Sequence, residues 1–454
     1  MQTDKIIFGQ DCYHSMASKV TGLNNNIVVV GSTGSGKTKS LVEPQLLHTH
    51  DTSLVVVLSK RELVERYSRM FKKRGYDVLD LNLLNPEESK LGYDPFAYIK
   101  STKDITSLAK ALVYANNDNE NTSKDPYWEN AATSLLSAIL ALVFQNKSDE
   151  PEFMSWSKER GPTFVDVLKL WRRLRFEYNK EGLATSTLDK FFEKELWKDE
   201  ELWGNESKSN FAVECWKVIK NLAIKTASSI YSCTNVVLDK SFTPEIEQLI
   251  ALPTNLDFTQ LGKKKTVLFV TVSPVETAQQ SFLNIFYNDL FNNLFKFAQE
   301  CPNNELPIPI HIIADDFACC GKVPDFEKRI SIFRAQGLSV SLLLQSESQL
   351  ANIYGDKAAI TVINNCDSYV YLGGMDLRTC RNISERLNVP LSDVLSMPLN
   401  KVIIFQRGKK PVITERYHIL EDAVYKETEA DYLAVQIYKE QIMKAKESEE
   451  KENE

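Results

Sequence analysis

The sequence predicts an α/β fold with a mostly parallel central sheet, interrupted by an all-α domain, and three observations carry that expectation. Short β-branched apolar runs recur along the chain, a phosphate-binding loop follows directly on the first of them, and the runs cease over one long stretch patterned for helices. The runs fall at 27–30, 54–58, 78–81, 267–272, 308–314, 340–344, 369–372 and 402–405. Continuous apolar runs of that length suit strands buried on both faces, and their alternation with helical segments suits parallel pairing. Pro307 and Pro309 are poor residues for a central strand, so the fifth run is expected to start its strand after them. Between 105 and 255 no such run appears, and 127–144, 163–178 and 210–230 carry apolar residues at helical spacing. Polar stretches at 116–125, 146–152 and 198–209 read as loops. This divides the chain into 1–104, the first part of a nucleotide-binding domain; 105–255, the all-α domain; 256–425, the second part; and 426–454, a charged helical or disordered tail.

The loop after the first run reads Gly31-Ser32-Thr33-Gly34-Ser35-Gly36-Lys37-Thr38 and fits the P-loop pattern in its strand-to-helix setting. Glycines let the backbone wrap closely around phosphate oxygens with successive N–H groups pointing inward, and the following helix offers its positive end. Lys37 then serves the β- and γ-phosphates and Thr38 binds Mg²⁺, so ATP and Mg²⁺ are the expected cofactors. A P-loop needs a carboxylate on a neighbouring strand to hold the magnesium shell. Asp315 and Asp316 follow the fifth run, Asp315 as the magnesium-side acid and Asp316 as the residue that orients or deprotonates the attacking water. Two adjacent acids after a strand also serve as a turn or a helix cap. Gln345, at the carboxyl end of the next run, stands where open α/β sheets place their ligands and fits a γ-phosphate sensor; taken alone it is equally a surface glutamine.

The chain has 454 residues, 43% hydrophobic and 25% charged, with a formal charge of −7. That is enough for two or three domains with a sizeable core, and the negative balance excludes a surface that coats nucleic acid. The eight cysteines are scattered without metal-ligand spacing and read as reduced thiols. The N-terminus lacks the basic and apolar regions of a signal peptide, and runs such as 139–144 fall short of the roughly 20 residues a spanning helix needs, so a soluble chain is expected.

Beyond the P-loop, a combination of segments resembles the TraG/TraD-type coupling proteins of conjugation. It comprises Asp315-Asp316-Phe317-Ala318, Phe333-Arg334-Ala335-Gln336-Gly337, Gln345-Ser346 with Gln349-Leu350, Tyr354-Gly355, Asn365-Cys366 and Tyr371-Leu372-Gly373-Gly374. Lys60-Arg61-Glu62-Leu63, Tyr93-Asp94-Pro95-Phe96 and Trp128 with Ala131-Ala132 agree with it. The resemblance implies a RecA-like domain interrupted by an all-α domain and assembled as a homo-hexamer. It implies a ring that uses ATP to recruit or pump relaxase-bound single-stranded DNA towards a type IV secretion channel at the cytoplasmic face of the membrane. Relaxase and secretion components are then the partners, and Arg334 is the arginine finger that reaches a neighbour's γ-phosphate, against the alternative of a solvated helix residue. Three departures stand out. Asp316 occupies a position where related motors carry Glu; Leu58-Ser59-Lys60-Arg61-Glu62 replaces Asp-Pro-Lys-Gly-Glu; and the N-terminal membrane helices common in relatives are missing, which points to a trimmed chain or a separate membrane anchor protein.

Two rival functions share these features. An FtsK/HerA-type DNA translocase is disfavoured by the helical insertion, whereas a nucleotide-gated receptor for secretion substrates fits the short Asp316 and the acidic balance. Lys72, Lys73 and Arg74, or Arg378, Arg381 and Arg386, are candidate pore contacts to DNA, though each group reads more simply as a solvated helix face. Most of Trp156, Trp171, Trp197, Trp203 and Trp216 are expected in the core of the helical domain.

Overall fold

A computed structural model of the chain describes residues 4–114, 126–146, 161–178, 184–193, 210–220, 222–319 and 322–453. Its strands are β1 (Lys5–Gly9), β2 (Cys12–Ser15), β3 (Ile27–Val30), β4 (Ser53–Leu58), β5 (Asp77–Asn82), β6 (Phe176–Tyr178) and β7 (Ala184–Ser186). They continue with β8 (Thr266–Thr271), β9 (Ile310–Ala314), β10 (Leu338–Leu344), β11 (Ser368–Tyr371), β12 (Lys401–Gln406) and β13 (Val412–Glu415). Nine of them form one sheet in the order β13-β12-β11-β3-β10-β9-β4-β8-β5. Pairing is parallel from β5 to β11, and β12 and β13 extend that edge antiparallel. All eight runs read from the sequence are strands of this sheet, and β9 begins at Ile310, beyond both prolines.

The two faces of the sheet pack against different layers because side chains alternate along each strand. Val28, Val30, Val55, Val57, Leu268, Val270, Leu342 and Leu344 share one core with the helices between β5 and β8. Ile27, Val29, Leu54, Val56, Val267 and Leu343 face the helix after the P-loop and the helix Arg61–Lys73. Burying each such side chain contributes about 1.5–3 kcal/mol. The inserted helices are therefore a layer on the sheet, continuous with its core. They are Thr102–Tyr114, Pro126–Gln145, Phe164–Arg173, Phe211–Lys220, Ile224–Ser241 and Pro244–Ile250.

Two readings of this region need correction. The insertion is not purely helical: the helix expected over 163–178 stops at Arg173, and β6 pairs with β7 as a small antiparallel hairpin. Length and apolar composition also make 127–145 sufficient to cross a membrane, contrary to the short-run reading. Here most of that stretch is buried, with Leu135, Leu136, Ile139 and Leu140 inside the shared core, so the protein's own helices take the place of lipid. Trp171 stacks on Tyr231 at 4.9 Å and Trp216 on Phe192 at 4.4 Å, both as core residues. Trp156, Trp197 and Trp203, like the expected loops at 116–125 and 198–209 and most of that at 146–152, lie outside the described residues.

After β13 the chain forms the helix Ala423–Asn453. It docks on Arg61–Lys73, where Arg66 Nε meets Glu429 at 3.0 Å and Gln436 donates to Glu65 at 2.9 Å. Arg66 also faces Glu43 at 3.4 Å, and Tyr67 donates to the same carboxylate at 2.6 Å. These contacts tie the last helix to the helix that leaves the P-loop.

Among the described residues, the sheet interior holds one titratable base, a histidine. His311 of β9 is 0% exposed, with Nδ1 at 2.7 Å from Ser339 Oγ and Nε2 at 2.8 Å from Ser341 Oγ on β10. Burial pushes its pKa down to about 3. The folded value lies below the unfolded one of about 6.5, so this stability is complete above about pH 6.5 and is lost as pH falls from there towards the folded value. In urea unfolding, the wild type should lose about 1.4 kcal/mol more per pH unit than His311→Asn between about pH 6 and pH 4. Equal slopes for the two proteins would mean that the ring is charged in the folded state.

Candidate functional site

The carboxyl ends of β3, β10 and β9 lie side by side and bring the motif residues together. β10 sits between the other two, with Leu344 opposite Val30 of β3 and Leu342 opposite Ala314 of β9. Gly31 therefore leaves β3 beside Leu344, to whose carbonyl it donates at 3.1 Å. Gln345 is the next residue along, and its backbone N–H donates to Gln349 Oε1 at 3.2 Å. Asp315 and Asp316 follow β9 one strand further on.

Local backbone chemistry makes the loop. Gly34 and Gly36 both have φ of +76°, a region that residues with a Cβ rarely adopt. A Cβ on Gly31 would lie 2.4 Å from Ser35 Oγ, 3.0 Å from Leu372 Cβ and 3.2 Å from Ser35 Cβ, so glycine lets the loop fold back closely on its own start. Lys37 is buried, and its Nζ reaches inside the loop to Gly31 O at 2.8 Å. The helix that follows opens as a π-turn, Thr38–Val42, in which Glu43 N–H reaches Thr38 O. Pro44 accounts for it: a proline offers no N–H to Ser40 and its ring crowds that carbonyl, so the turn before it widens.

Across from the loop, burial, reinforced by the Asp316 charge, pushes the Asp315 carboxyl up to about 6, against the pull of Lys37. Asp315 N–H donates to Val57 O at 3.2 Å, which fixes its backbone against β4. Asp316 has φ of +48°, and its Oδ1 is buried with no hydrogen-bond partner among the described residues. Both acids border a narrow cleft together with Ser59, Ser273, Gln280 and Tyr287. Phosphate and a divalent cation fit this donor set: a glycine-rich loop with one buried ammonium lies beside a pair of acids, one holding an unsatisfied oxygen.

Arg334 is elsewhere. It lies on the exposed turn Phe333–Gln336, before the start of β10, whereas Gln345 follows that strand's end. Seven residues of strand separate the two by about 20 Å, so Arg334 does not serve its own subunit's loop. Its guanidinium contacts Ser18 O at 3.5 Å. Several of the basic candidates for DNA are engaged within the fold. Arg74 donates to Leu47 O and Thr49 O, each at 2.8 Å; Lys73 pairs with Asp431; Arg378 pairs with Asp356 at 2.6 Å; and Arg386 covers the Tyr369 ring at 4.6 Å.

Arg416, just after β13, is a residue of this site that the sequence reading missed. Nη1 donates to Ser35 O at 2.6 Å, Nη2 to Leu372 O at 2.9 Å and Nε to Lys401 O at 3.4 Å. A lone arginine beyond a short edge strand carries no motif, so only the folded sheet shows it.

Comparison with known proteins agrees with this architecture. The family model described as Type IV secretory system Conjugative DNA transfer matches residues 3–388, most of the chain. Protein VirD4 of Agrobacterium fabrum is 23% identical over 394 residues, covering 84% of this chain and 52% of that protein, so the chain spans about half the length of the curated relative it matches. The unbound bacterial conjugative coupling protein TrwBdeltaN70 superposes with a TM-score of 0.62 at 16% identity, covering 91% of this chain and 88% of that one. The plasmid coupling protein TrwB in complex with ADP and Mg²⁺ gives a TM-score of 0.57 at 17% identity, with coverage of 87% and 86%. At such identities the structural likeness establishes the RecA-like P-loop NTPase fold. The family match over most of its length establishes more: the chain belongs to the type IV secretory system conjugative DNA transfer family.

Proposed function

We propose that this protein is an ATP-dependent coupling protein that recruits relaxase-bound single-stranded DNA and drives it to a type IV secretion channel. The observation that carries the proposal is the convergence of Gly31 to Thr38, Gln345, Asp315 and Asp316 on adjacent strand ends in a chain of this family. Binding of ADP and Mg²⁺ by the coupling protein TrwB supports ATP and Mg²⁺ as the cofactors. Together they supply a phosphoryl group for transfer to water and a cation that screens its oxygens. The backbone of Gly31 to Gly36 and the ammonium of Lys37 cradle the phosphates. Thr38 and Asp315 would hold the magnesium, Asp316 would orient or deprotonate the attacking water, and Gln345 would sense the γ-phosphate. Arg334, remote from its own site, acts on a neighbour's in a homo-hexameric ring at the cytoplasmic face of the membrane. Relaxase and secretion components are the partners.

Steady-state ATP hydrolysis with and without single-stranded DNA tests this. Turnover that rises with DNA is expected. The short acid Asp316 and the charge of −7 favour a second reading, a nucleotide-gated receptor for secretion substrates. Nucleotide binding without turnover under either condition would replace the motor by that receptor.

A further inference from the structure

We infer that Arg416 is a positioning residue of the nucleotide site: it clamps the outer wall of the P-loop to β11 and β12 and so keeps the inner amides aimed at phosphate. The inference rests on the reading that the loop binds nucleotide.

The geometry is a three-way brace. A guanidinium presents its N–H groups in a fixed planar fork, and here three of them go to backbone carbonyls on three separate segments: Ser35 in the loop, Leu372 at the end of β11 and Lys401 at the start of β12. Leu372 N–H in turn donates to Val30 O at 2.8 Å, and Ser32 N–H to Gly373 O at 3.0 Å, so the segment that Arg416 grips is itself bonded to both ends of the loop's entry. Gly36 leaves room for the fork, since a Cβ there would lie 3.2 Å from Nη1. The arginine is held in place from its own backbone, whose N–H donates to Asn400 O at 2.9 Å.

The charge is also unbalanced. Among the described residues no carboxylate pairs with Arg416, and burial alone pulls its pKa down. A cation half-buried among carbonyls is costly without an anion nearby, and the loop beside it is the place where phosphate is expected. Arg416 therefore adds a fixed positive charge behind the loop without touching the ligand. This also gives the antiparallel extension β12–β13 a task, because its turn past β13 delivers the guanidinium to a loop 381 residues earlier in the chain.

The test compares wild type, Arg416→Ala and Arg416→Lys by two readouts. In the nucleotide-free protein, amide hydrogen exchange over 32–37 should be about tenfold faster in Arg416→Ala, while exchange in β4 is unchanged. Titration with fluorescently labelled ADP and Mg²⁺ should show affinity weakened about 10- to 100-fold in Arg416→Ala and partly restored in Arg416→Lys, which keeps the charge but not the fork. Wild-type exchange and affinity in Arg416→Ala would overturn the inference. If that variant does not fold, Arg416→Lys decides, because unchanged exchange over 32–37 in it removes the clamp. If the wild type itself binds no ADP, the nucleotide reading falls separately, and the exchange comparison still judges the brace.

Discussion

Lys37→Ala should abolish nucleotide-dependent behaviour while leaving the protein folded. ATP turnover should drop by at least about 10²–10³-fold, the cost of removing one preorganised donor from developing negative charge. Affinity for ADP with Mg²⁺ should weaken by about tenfold or more. The reason is visible in the resting loop. Lys37 is buried, and among the described residues its ammonium donates to Gly31 O at 2.8 Å and has no carboxylate within ion-pair distance. That leaves its charge free for phosphate. Stability should change little, because losing one charged hydrogen bond is offset by removing an unpaired buried cation. Circular dichroism and an ADP titration on the same sample decide the matter. A folded Lys37→Ala protein with wild-type affinity and turnover would mean that Gly31 to Thr38 is only a turn.

Much of this site is legible in the sequence because its information is local. A β-branched run followed by three spaced glycines and Lys-Thr fixes both the strand and the loop, and acids directly after a strand fix where they stand on the sheet. The sheet strands are visible for a similar reason: strands covered on both faces are apolar at most positions, and β9 and β10 keep that character despite His311, Ser339 and Ser341. What escaped depends on partners distant in sequence. β13 is a four-residue, solvent-facing strand whose apolar residues are just Val412 and Ile413, too short a run to register, and Arg416 beyond it acquires meaning only when β12 and β13 fold back against β11. β6 and β7 are three residues each, too short for a period to register against the surrounding helical spacing. The stretch 127–145 hides its length because Glu129, Asn130, Thr133 and Ser134 interrupt the apolar run without ending the helix. His311 reads as one polar residue in an apolar strand, and its two serine partners lie on a strand that only the register brings opposite.

Asp316→Asn should separate catalysis from binding. As the base that activates water, Asp316 is expected to contribute about 10²–10⁴-fold to turnover, and an amide of the same shape cannot take up the proton. The substitution suits the backbone: φ of +48° is a left-handed conformation that asparagine tolerates about as well as aspartate, so the acid is removed without new strain. Binding should survive, because the Asp316 charge is one of the causes that raise the neighbouring Asp315 carboxyl, and neutralising it makes Asp315 a readier anion for magnesium. The expected pattern is turnover lost with affinity for ADP and Mg²⁺ kept or improved. Asp316→Glu provides the complementary comparison. It restores the longer acid of related motors but places a bulkier side chain at positive φ, at a cost of about 1–3 kcal/mol in strain. Faster hydrolysis at lower stability in that variant would show that the short acid limits the rate and that the turn after β9 was shaped around it. An Asp316→Asn protein that hydrolyses ATP like the wild type would instead give the water to another acid, and Asp315, the one other carboxylate among the described residues bordering that cleft, would have to both hold magnesium and take the proton.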